Sequence, residues 1–269
     1  AIPKTDLHLH LDGSLRLGSL IELARDASVE LPSATETGLR ETVFRERYAN
    51  LDEYLRGFAY TCRVLQTPDA LERASYELAL DCFADGARYI EVHFAPQLHM
   101  GGIISFEEVM GAVDRGLKRA RTELNRGIHP EEVEFEYGII VCAMRFCTAG
   151  FSAYYRQFFD MHRYTAPEEV IRMLSAELIR ATVKLRRESD VQIVGFDLAG
   201  SENGHPAERH SNAYDYAHKS FLMKTVHAGE AYGPESIFQA ITVLHADRIG
   251  HGLFLFAADK IVSNDVKDP

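Results

Sequence analysis

Short apolar runs alternate with longer amphipathic stretches along most of the chain. Most of the runs are rich in β-branched residues and end at Gly or Pro, as buried β-strands do. They predict six strands, at residues 4–11, 87–96, 135–144, 191–200, 221–229 and 247–256. In the gaps, apolar residues recur at helical spacing and predict helices at residues 67–86, 105–127, 166–189 and 233–245.

Two of these helices carry end signals. Pro68 suits the first turn of a helix, and Gly86 suits its end. Ser105 and Glu108 have the spacing of a capping box, in which each side chain bonds the backbone amide of the other residue. Gly127 follows the last apolar position of that helix and suits its end.

The regular alternation predicts an α/β fold with a parallel sheet covered by helices. We expect a TIM-type (β/α) barrel, since no Gly-rich nucleotide loop follows an early strand. Such a barrel has eight strands, so the last two strands are expected to be absent from this chain. We expect a single domain over residues 1–269 that is C-terminally incomplete. A helical insertion after the first strand should form a cap at about residues 14–86.

Composition and charge narrow the possible partners. The 269 residues are 46% hydrophobic and carry a net charge of −11 at pH 7, which argues against nucleic acid or an anionic membrane as a partner. No apolar run reaches the roughly 20 residues of a membrane span, and the N-terminus lacks the layout of a signal peptide. The four cysteines form no CxxC pair and are expected to be reduced, which predicts a cytoplasmic protein.

The stretch TDLHLHLDGS, residues 5–14, places two histidines in a predicted strand. Residues two apart on a strand point to the same face, so His8 and His10 project together. Two adjacent imidazoles suit a divalent metal, and zinc is the usual choice where no thiolate is near. The alternative is a core histidine bonded to the backbone, but the pair, followed by Asp12 and Gly13, favours the metal.

Two later strands end in further histidines. In TVHAGE, His227 closes the fifth strand and Glu230 follows the turn, as a metal ligand and a nearby proton carrier would. Glu230 could equally be a first-turn glutamate of the next helix. In DRIGHG, His251 lies between two glycines, where the backbone can approach a ligand closely, although a turn histidine has the same pattern.

Other positions are less specific. Gly200 ends the fourth strand in GFDLAG, where it either starts a turn or exposes its backbone amide to a bound ring. His93 lies inside a predicted strand and is expected in the core or in a polar interior lining. Solvated surface positions are expected for His99, His129, His162, His205, His210 and His218.

Taken in order, KTDLHLHLDGSL, GARYIEVHFAPQLH, GFDLAG, TVHAGEAYGPESI and DRIGHG resemble the adenosine deaminase family, a zinc-dependent branch of the amidohydrolase superfamily. The resemblance covers nearly the whole chain. It implies a hydrolase of purine metabolism that converts adenosine, and 2′-deoxyadenosine with it, to inosine and ammonia.

The resemblance also implies catalytic and metal-binding roles. His8, His10 and His227 match the residues that bind one zinc ion per chain. Glu230 matches the residue that donates a proton to the purine ring. His251 matches the histidine beside the metal-bound water, which orients that water or takes its proton.

For the substrate, a small-molecule purine nucleoside, the resemblance implies three contacts. Asp12 matches a carboxylate that reaches the ribose hydroxyl, and Gly200 matches a glycine whose backbone binds the purine. His10 also lines the substrate pocket. The family's last zinc ligand, an aspartate at the end of the eighth strand, has no match, and Asp268 follows no apolar strand and is not assigned to that role.

Two other functions remain open. The chain could deaminate a different purine, such as adenine, an aminofutalosine-type nucleoside or a nucleotide. It could also be a catalytically silent relative that binds a nucleoside. VQIVGFDLAG lacks the lysine that binuclear amidohydrolases carboxylate, which favours the single-metal branch.

Overall fold

In the described part of the chain, six parallel strands form one sheet in the order in which they occur in the sequence. The structure, a computed structural model, describes residues 2–101 and 104–257, so Asp268 lies outside the described residues. The strands are β1 (Lys4–His10), β2 (Ala87–Phe94), β3 (Glu136–Met144), β4 (Ile193–Ala199), β5 (Met223–Ala228) and β6 (Arg248–His251). All six predicted strands are therefore present.

The sheet curls until its first and sixth strands face each other. Nε2 of His8 on β1 lies 3.2 Å from Nε2 of His251 on β6. Arg248 on β6 donates a hydrogen bond to the Leu7 carbonyl of β1 at 3.2 Å. A flat sheet of this size would hold its outer strands about 24 Å apart, because neighbouring strands are about 4.8 Å apart. The predicted TIM-type barrel is confirmed, as six strands that nearly close.

Nine α-helices occur among the described residues. They are α1 (Leu17–Asp26), α2 (Glu36–Thr42), α3 (Leu51–Val64), α4 (Pro68–Ala84), α5 (Phe106–Arg126), α6 (Ala153–Met161), α7 (Pro167–Glu188), α8 (Ser211–Lys219) and α9 (Pro234–Thr242). The first four lie between β1 and β2, which confirms the predicted helical insertion after the first strand. Short 3₁₀ turns occur at Pro96–Leu98 and Ala207–His210.

The predicted end signals act as expected. Pro68 is in the first turn of α4, preceded by Thr67, whose side chain accepts the Ala70 amide. At the start of α5, the Glu108 carboxylate accepts a hydrogen bond from the Ser105 backbone amide at 2.8 Å. The Ser105 hydroxyl in turn accepts one from the Glu108 backbone amide at 3.2 Å. This reciprocal pair is the predicted capping box.

The core fills the space between sheet and helices and the interior of the barrel. β3 is buried along nearly its whole length, as a continuous apolar run in a parallel sheet predicts. Ile90, Ile139, Val141 and Phe196 are fully buried, and each such side chain contributes about 1.5–3 kcal/mol relative to exposure. A second apolar cluster around Tyr155 lies near the carboxyl ends of β2, β3 and β4. That edge of the barrel also carries the histidines.

Some predictions were wrong. The sixth strand ends at His251 instead of residue 256, because His251 and Gly252 have φ values of 70° and 66° and turn the chain. Helices α6 and α8 were not predicted. His99 and His210, expected at the surface, are 0% and 1% exposed. Loops at this edge fold inward, and His99 Nδ1 lies 3.0 Å from the Leu65 carbonyl.

The four cysteines are free, and Cys62, Cys142 and Cys147 are buried. None of the helices in the described part of the chain combines the length and the apolar character needed to cross a membrane.

Candidate metal centre and active site

Two histidines of β1 lie together at the carboxyl end of the strand. The ring centroids of His8 and His10 are 5.3 Å apart. His10 is in register with His93 on β2, whose ring centroid lies 5.0 Å from that of His8. The two-residue period of the strand therefore brings both β1 imidazoles into one group in the barrel interior.

A third ligand candidate comes from the carboxyl end of β5. His227 is 6% exposed, and its Nε2 lies 2.9 Å from Nε2 of His10. One ring nitrogen from each of His8, His10 and His227 lies within 4.8 Å of the other two. Zinc takes imidazole nitrogens at about 2.0–2.1 Å, so donors this close together suit a single ion. We name these three residues the three-histidine cluster.

The carboxyl end of β6 brings a fourth imidazole against the cluster. His251 Nε2 is 3.2 Å from His8 Nε2, and His251 has a φ of 70°, which non-glycine residues rarely adopt. A Cβ at Gly250 would lie 2.7 Å from His8 Cε1. The missing side chain lets β6 come this close to His8, and the unusual backbone of His251 turns its ring towards the cluster.

Asp197, within β4, contacts two of the rings. Its Oδ2 lies 2.8 Å from Nδ1 of His227 and 3.2 Å from Nδ1 of His93, and it is fully buried. A carboxylate beside Nδ1 favours the tautomer in which Nε2 keeps its lone pair for a metal. The sequence prediction missed this residue, although an aspartate inside the apolar strand GFDLAG was a usable signal.

Burial and crowding keep three of these imidazoles neutral. Burial, and then the neighbouring His227 and His93, lowers the pKa of His8 to about 3. The same causes hold the pKa of His10 well below its usual value. Burial and His227 lower the pKa of His251 to about 4. A neutral imidazole has one N–H and one nitrogen with a free lone pair, and that lone pair can bind a metal.

His227 and Asp197 behave as a buried ion pair. Burial acts to lower the pKa of His227, but the adjacent Asp197 outweighs it and the pKa is raised. Burial acts to raise the pKa of Asp197, but His227 and His93 outweigh it and hold that pKa well below its usual value. A metal bound at Nε2 of His227 would replace the proton on that nitrogen, and the Nδ1 proton would still face Asp197.

Two other groups of potential ligands occur among the described residues. Each contains a buried cysteine together with an aspartate and a histidine: Asp12, Cys62 and His99 in one, and His93, Cys142 and Asp197 in the other. Burial raises the pKa of both thiols well above the usual value. A thiol that stays protonated is a poor metal ligand. The three-histidine cluster is therefore the arrangement that fits a metal best.

Glu230 lies just beyond β5 at the mouth of the cluster. Its Oε2 is 3.5 Å from Nε2 of His251, and its side chain is 23% exposed. Burial raises the pKa of Glu230, with Glu202 acting in the same direction. A carboxyl group that can hold a proton nearer neutral pH is suited to deliver one to a substrate.

The residues expected to contact substrate also lie near the ends of strands. Asp12, two residues beyond β1, is 4% exposed, and burial raises its pKa to about 6. Its Oδ2 lies 3.8 Å from Cys62 Sγ and 4.0 Å from His99 Nε2. Gly200 directly follows β4 and has a φ of 97°, which a side chain would disfavour.

Arg145 is a further residue that sequence reasoning missed. It follows β3, is 1% exposed, and donates hydrogen bonds to the carbonyls of His227 at 2.5 Å and His205 at 2.9 Å. It thus braces the backbone of a cluster residue. The signal was a lone arginine directly after an apolar strand.

The family model described as adenosine deaminase matches residues 3–264. The chain belongs to the adenosine deaminase family. An adenosine deaminase from Mycobacterium leprae is 36% identical over 253 residues, which make up 93% of this chain and 61% of that protein. The chain thus spans less than two thirds of the length of this family member.

Two solved structures have the same fold. An adenine deaminase from Arthrobacter aurescens superposes with a TM-score of 0.70 at 22% identity, covering 96% of this chain and 67% of that one. An amidohydrolase with bound Zn from B. ambifaria gives a TM-score of 0.72 at 20% identity, covering 96% and 60%. At this identity the two structures show that this adenosine deaminase family member shares their barrel fold.

Proposed function

We propose that this protein catalyses the zinc-dependent hydrolysis of adenosine, and of 2′-deoxyadenosine, to inosine and ammonia. The observation that carries the proposal is the convergence of the three-histidine cluster beside Glu230 in a chain that matches the family model over residues 3–264. The name of the Mycobacterium leprae relative supports the same substrate.

The proposed cofactor is one zinc ion per chain. His8, His10 and His227 would hold it, because one ring nitrogen from each lies within 4.8 Å of the other two and imidazole nitrogens suit zinc. His8 and His10 already have lowered pKa values and are neutral. When bound, zinc makes a nucleophilic water available near neutral pH by lowering the pKa of that water to about 7. The zinc in the amidohydrolase of B. ambifaria supports the choice of metal.

Glu230 is proposed as the general acid. Its raised pKa lets the carboxyl group deliver a proton to a ring nitrogen of the purine. Protonation draws electron density away from C6, so water can add there. His251 is proposed to orient that water and to accept its proton at Nε2, since its lowered pKa leaves the ring neutral. The C6 amino group then takes the proton held by His251 and leaves as ammonia. The proton of the added hydroxyl returns to the Glu230 carboxylate, and the product is inosine.

Substrate contacts are proposed at three residues. The Asp12 carboxylate would accept a hydrogen bond from the ribose hydroxyl. Its buried Oδ1 suits this role, because it has no hydrogen-bond partner among the described residues. The backbone amide of Gly200 would bind the purine edge. His10 would line the pocket beside Phe58 of α3, whose ring centroid is 6.4 Å from that of His10.

We further propose that residues 1–269 form a single domain in which residues 14–86 cap the strand ends. Two contacts of α3 support the cap. A Cβ at Gly13 would lie 3.0 Å from Cζ of Phe58, and Ser201, just beyond β4, donates to Asp52 at 3.3 Å. Helix α3 therefore spans from the end of β1 to the end of β4.

Turnover by purified full-length protein tests the function. Adenosine should lose its characteristic ultraviolet absorbance as inosine forms, chelation should abolish the reaction, and added zinc should restore it. Glu230→Gln should lower kcat by about 10²–10⁴-fold, because an amide cannot donate the proton. Glu188→Gln, on the exposed end of α7, is the matched control and should be neutral.

Unchanged absorbance with adenosine and zinc would overturn the proposal. A panel of adenine, adenosine and adenosine monophosphate, compared by kcat/KM, distinguishes the remaining substrates. The likeness to an adenine deaminase is the observation that places adenine in this panel.

A further inference from the structure

Glu202, in the loop after β4, makes an unusual number of hydrogen bonds. It is 3% exposed, and its carboxylate accepts the backbone amides of residues 229–232. The distances are 2.7 Å from Gly229 N to Oε1, and 3.0, 2.7 and 2.8 Å from the next three amides to Oε2. The Ser236 hydroxyl also donates to Oε1.

Four consecutive amides can converge on one carboxylate only if the chain curls around it. Gly229 has a φ of 69°, and a Cβ there would lie 2.6 Å from Ile237 Cδ1, so the curl depends on glycine. Successive amides in such a turn form an anion-binding concavity, and here its anion is the Glu202 carboxylate. Burial acts to raise the pKa of Glu202, but these hydrogen bonds outweigh it and hold the pKa below its usual value.

The same turn carries Glu230, whose side chain has little else to hold it. No hydrogen bond within the described residues fixes the Glu230 carboxylate, which approaches His251 only to 3.5 Å. Its position is therefore set by its own backbone. That backbone is held at four successive amides by Glu202 and, on the strand side, by Arg145 through the His227 carbonyl.

We propose that Glu202 is a positioning residue that holds the 229–232 turn so that Glu230 faces the purine ring. The inference rests on the proposed function, because it assumes that Glu230 delivers the proton. The alternative is that Glu202 only caps the start of α9 through Ser236. Replacing Glu202 would then lower stability, and any loss of kcat would be the same with and without Glu230.

Glu202→Gln in the zinc-loaded, full-length protein is the informative variant. It keeps the shape but sets an amide NH₂ against backbone N–H donors, so two or more of the bonds must break. Asp114→Asn is the matched control. Asp114 is a buried carboxylate on α5, remote from the site, that accepts Tyr137 OH at 2.8 Å and Gln192 N at 3.2 Å.

Two measurements decide the proposal. Amide hydrogen exchange of residues 229–232 should speed up by about tenfold or more in Glu202→Gln and stay unchanged in Asp114→Asn, since local opening follows lost hydrogen bonds.

The second measurement is kcat. The kcat of Glu202→Gln should fall by about 10–100-fold, because a misplacement of the Glu230 carboxyl group by about 1 Å costs that much. In a Glu230→Gln background the same change should cost less than about threefold, as residues acting as one unit are not additive.

Unchanged exchange in Glu202→Gln would overturn the inference, and so would an equal loss of kcat with and without Glu230. The exchange measurement needs no turnover. A wild-type protein that does not deaminate adenosine would therefore overturn the proposed function. Amide exchange of residues 229–232 in Glu202→Gln would still show whether Glu202 holds the turn.

Discussion

The twelve histidines of this protein are chemically identical side chains that their surroundings place in different states. His8 is neutral because it is buried among other imidazoles, whereas His227 has a raised pKa because Asp197 lies 2.8 Å from its Nδ1. His210 is also buried, but it lies outside the three-histidine cluster. Burial lowers its pKa to about 3, and Arg145, Arg209 and Arg172 act with burial.

His210 should make stability depend on pH. Between pH 6.5 and about pH 3 the unfolded chain binds a proton that the buried ring does not, so stability falls as pH drops through this range. One pH unit below 6.5, this residue should remove about 1.4 kcal/mol from the free energy of unfolding. Urea unfolding of wild type and His210→Leu at several pH values tests this: the variant should show the weaker dependence. Parallel curves would contradict it.

At the scale of elements, local pattern was a good guide wherever a segment buries one clear face. All six strands and the four predicted helices are present, with differences of a few residues at their ends. Helices α6 and α8 were missed, since AYYRQFFDM is rich in aromatic residues and SNAYDYAHK is largely polar. Neither shows a clear apolar stripe in its sequence, and packing of Tyr155 and Tyr214 into the core stabilises these two short helices.

The start of α5 offers a test of an element-level prediction. Ser105→Ala removes the acceptor of the Glu108 amide and should destabilise the protein by about 0.5–2 kcal/mol, measured by urea unfolding. Thr122→Ala, an exposed hydroxyl on the same helix that donates to the Lys118 carbonyl, is the control. It should change stability by less than about 0.5 kcal/mol. Equal losses of unfolding free energy in Ser105→Ala and Thr122→Ala would contradict a specific contribution of the capping box to stability.

At the scale of the whole molecule, the site exists because the sheet curls. His8 and His251 are separated by 243 positions along the chain, yet their Nε2 atoms lie 3.2 Å apart. Arg248 also reaches across the barrel to the Glu91 carboxylate on β2. The carboxyl ends of β1, β4, β5 and β6 thus meet at one edge, where residues from four strands share a single small volume.

Gly250→Ala tests this close approach. A methyl group 2.7 Å from His8 Cε1 must push β6 or the ring away, which should cost about 1–3 kcal/mol of stability. The variant should also retain less zinc by elemental analysis, because His8 is displaced. Gly127→Ala is the control, since a Cβ there meets nothing within 4 Å. A Gly250→Ala protein with full metal content and unchanged thermal unfolding would contradict the barrel geometry.

The amino-acid sequence by itself determined the succession of strands and helices, the capping box of α5, and the motifs that mark the family. These depend on residues close together in the chain, where spacing alone decides which face is apolar. Only the tertiary structure decided that Asp197 pairs with His227, that Glu202 collects the amides of residues 229–232, and that His99 and His210 are buried. The reason is physical: burial, pKa and hydrogen bonding depend on distances of a few ångströms between residues far apart in sequence, and those distances are set when the sheet closes.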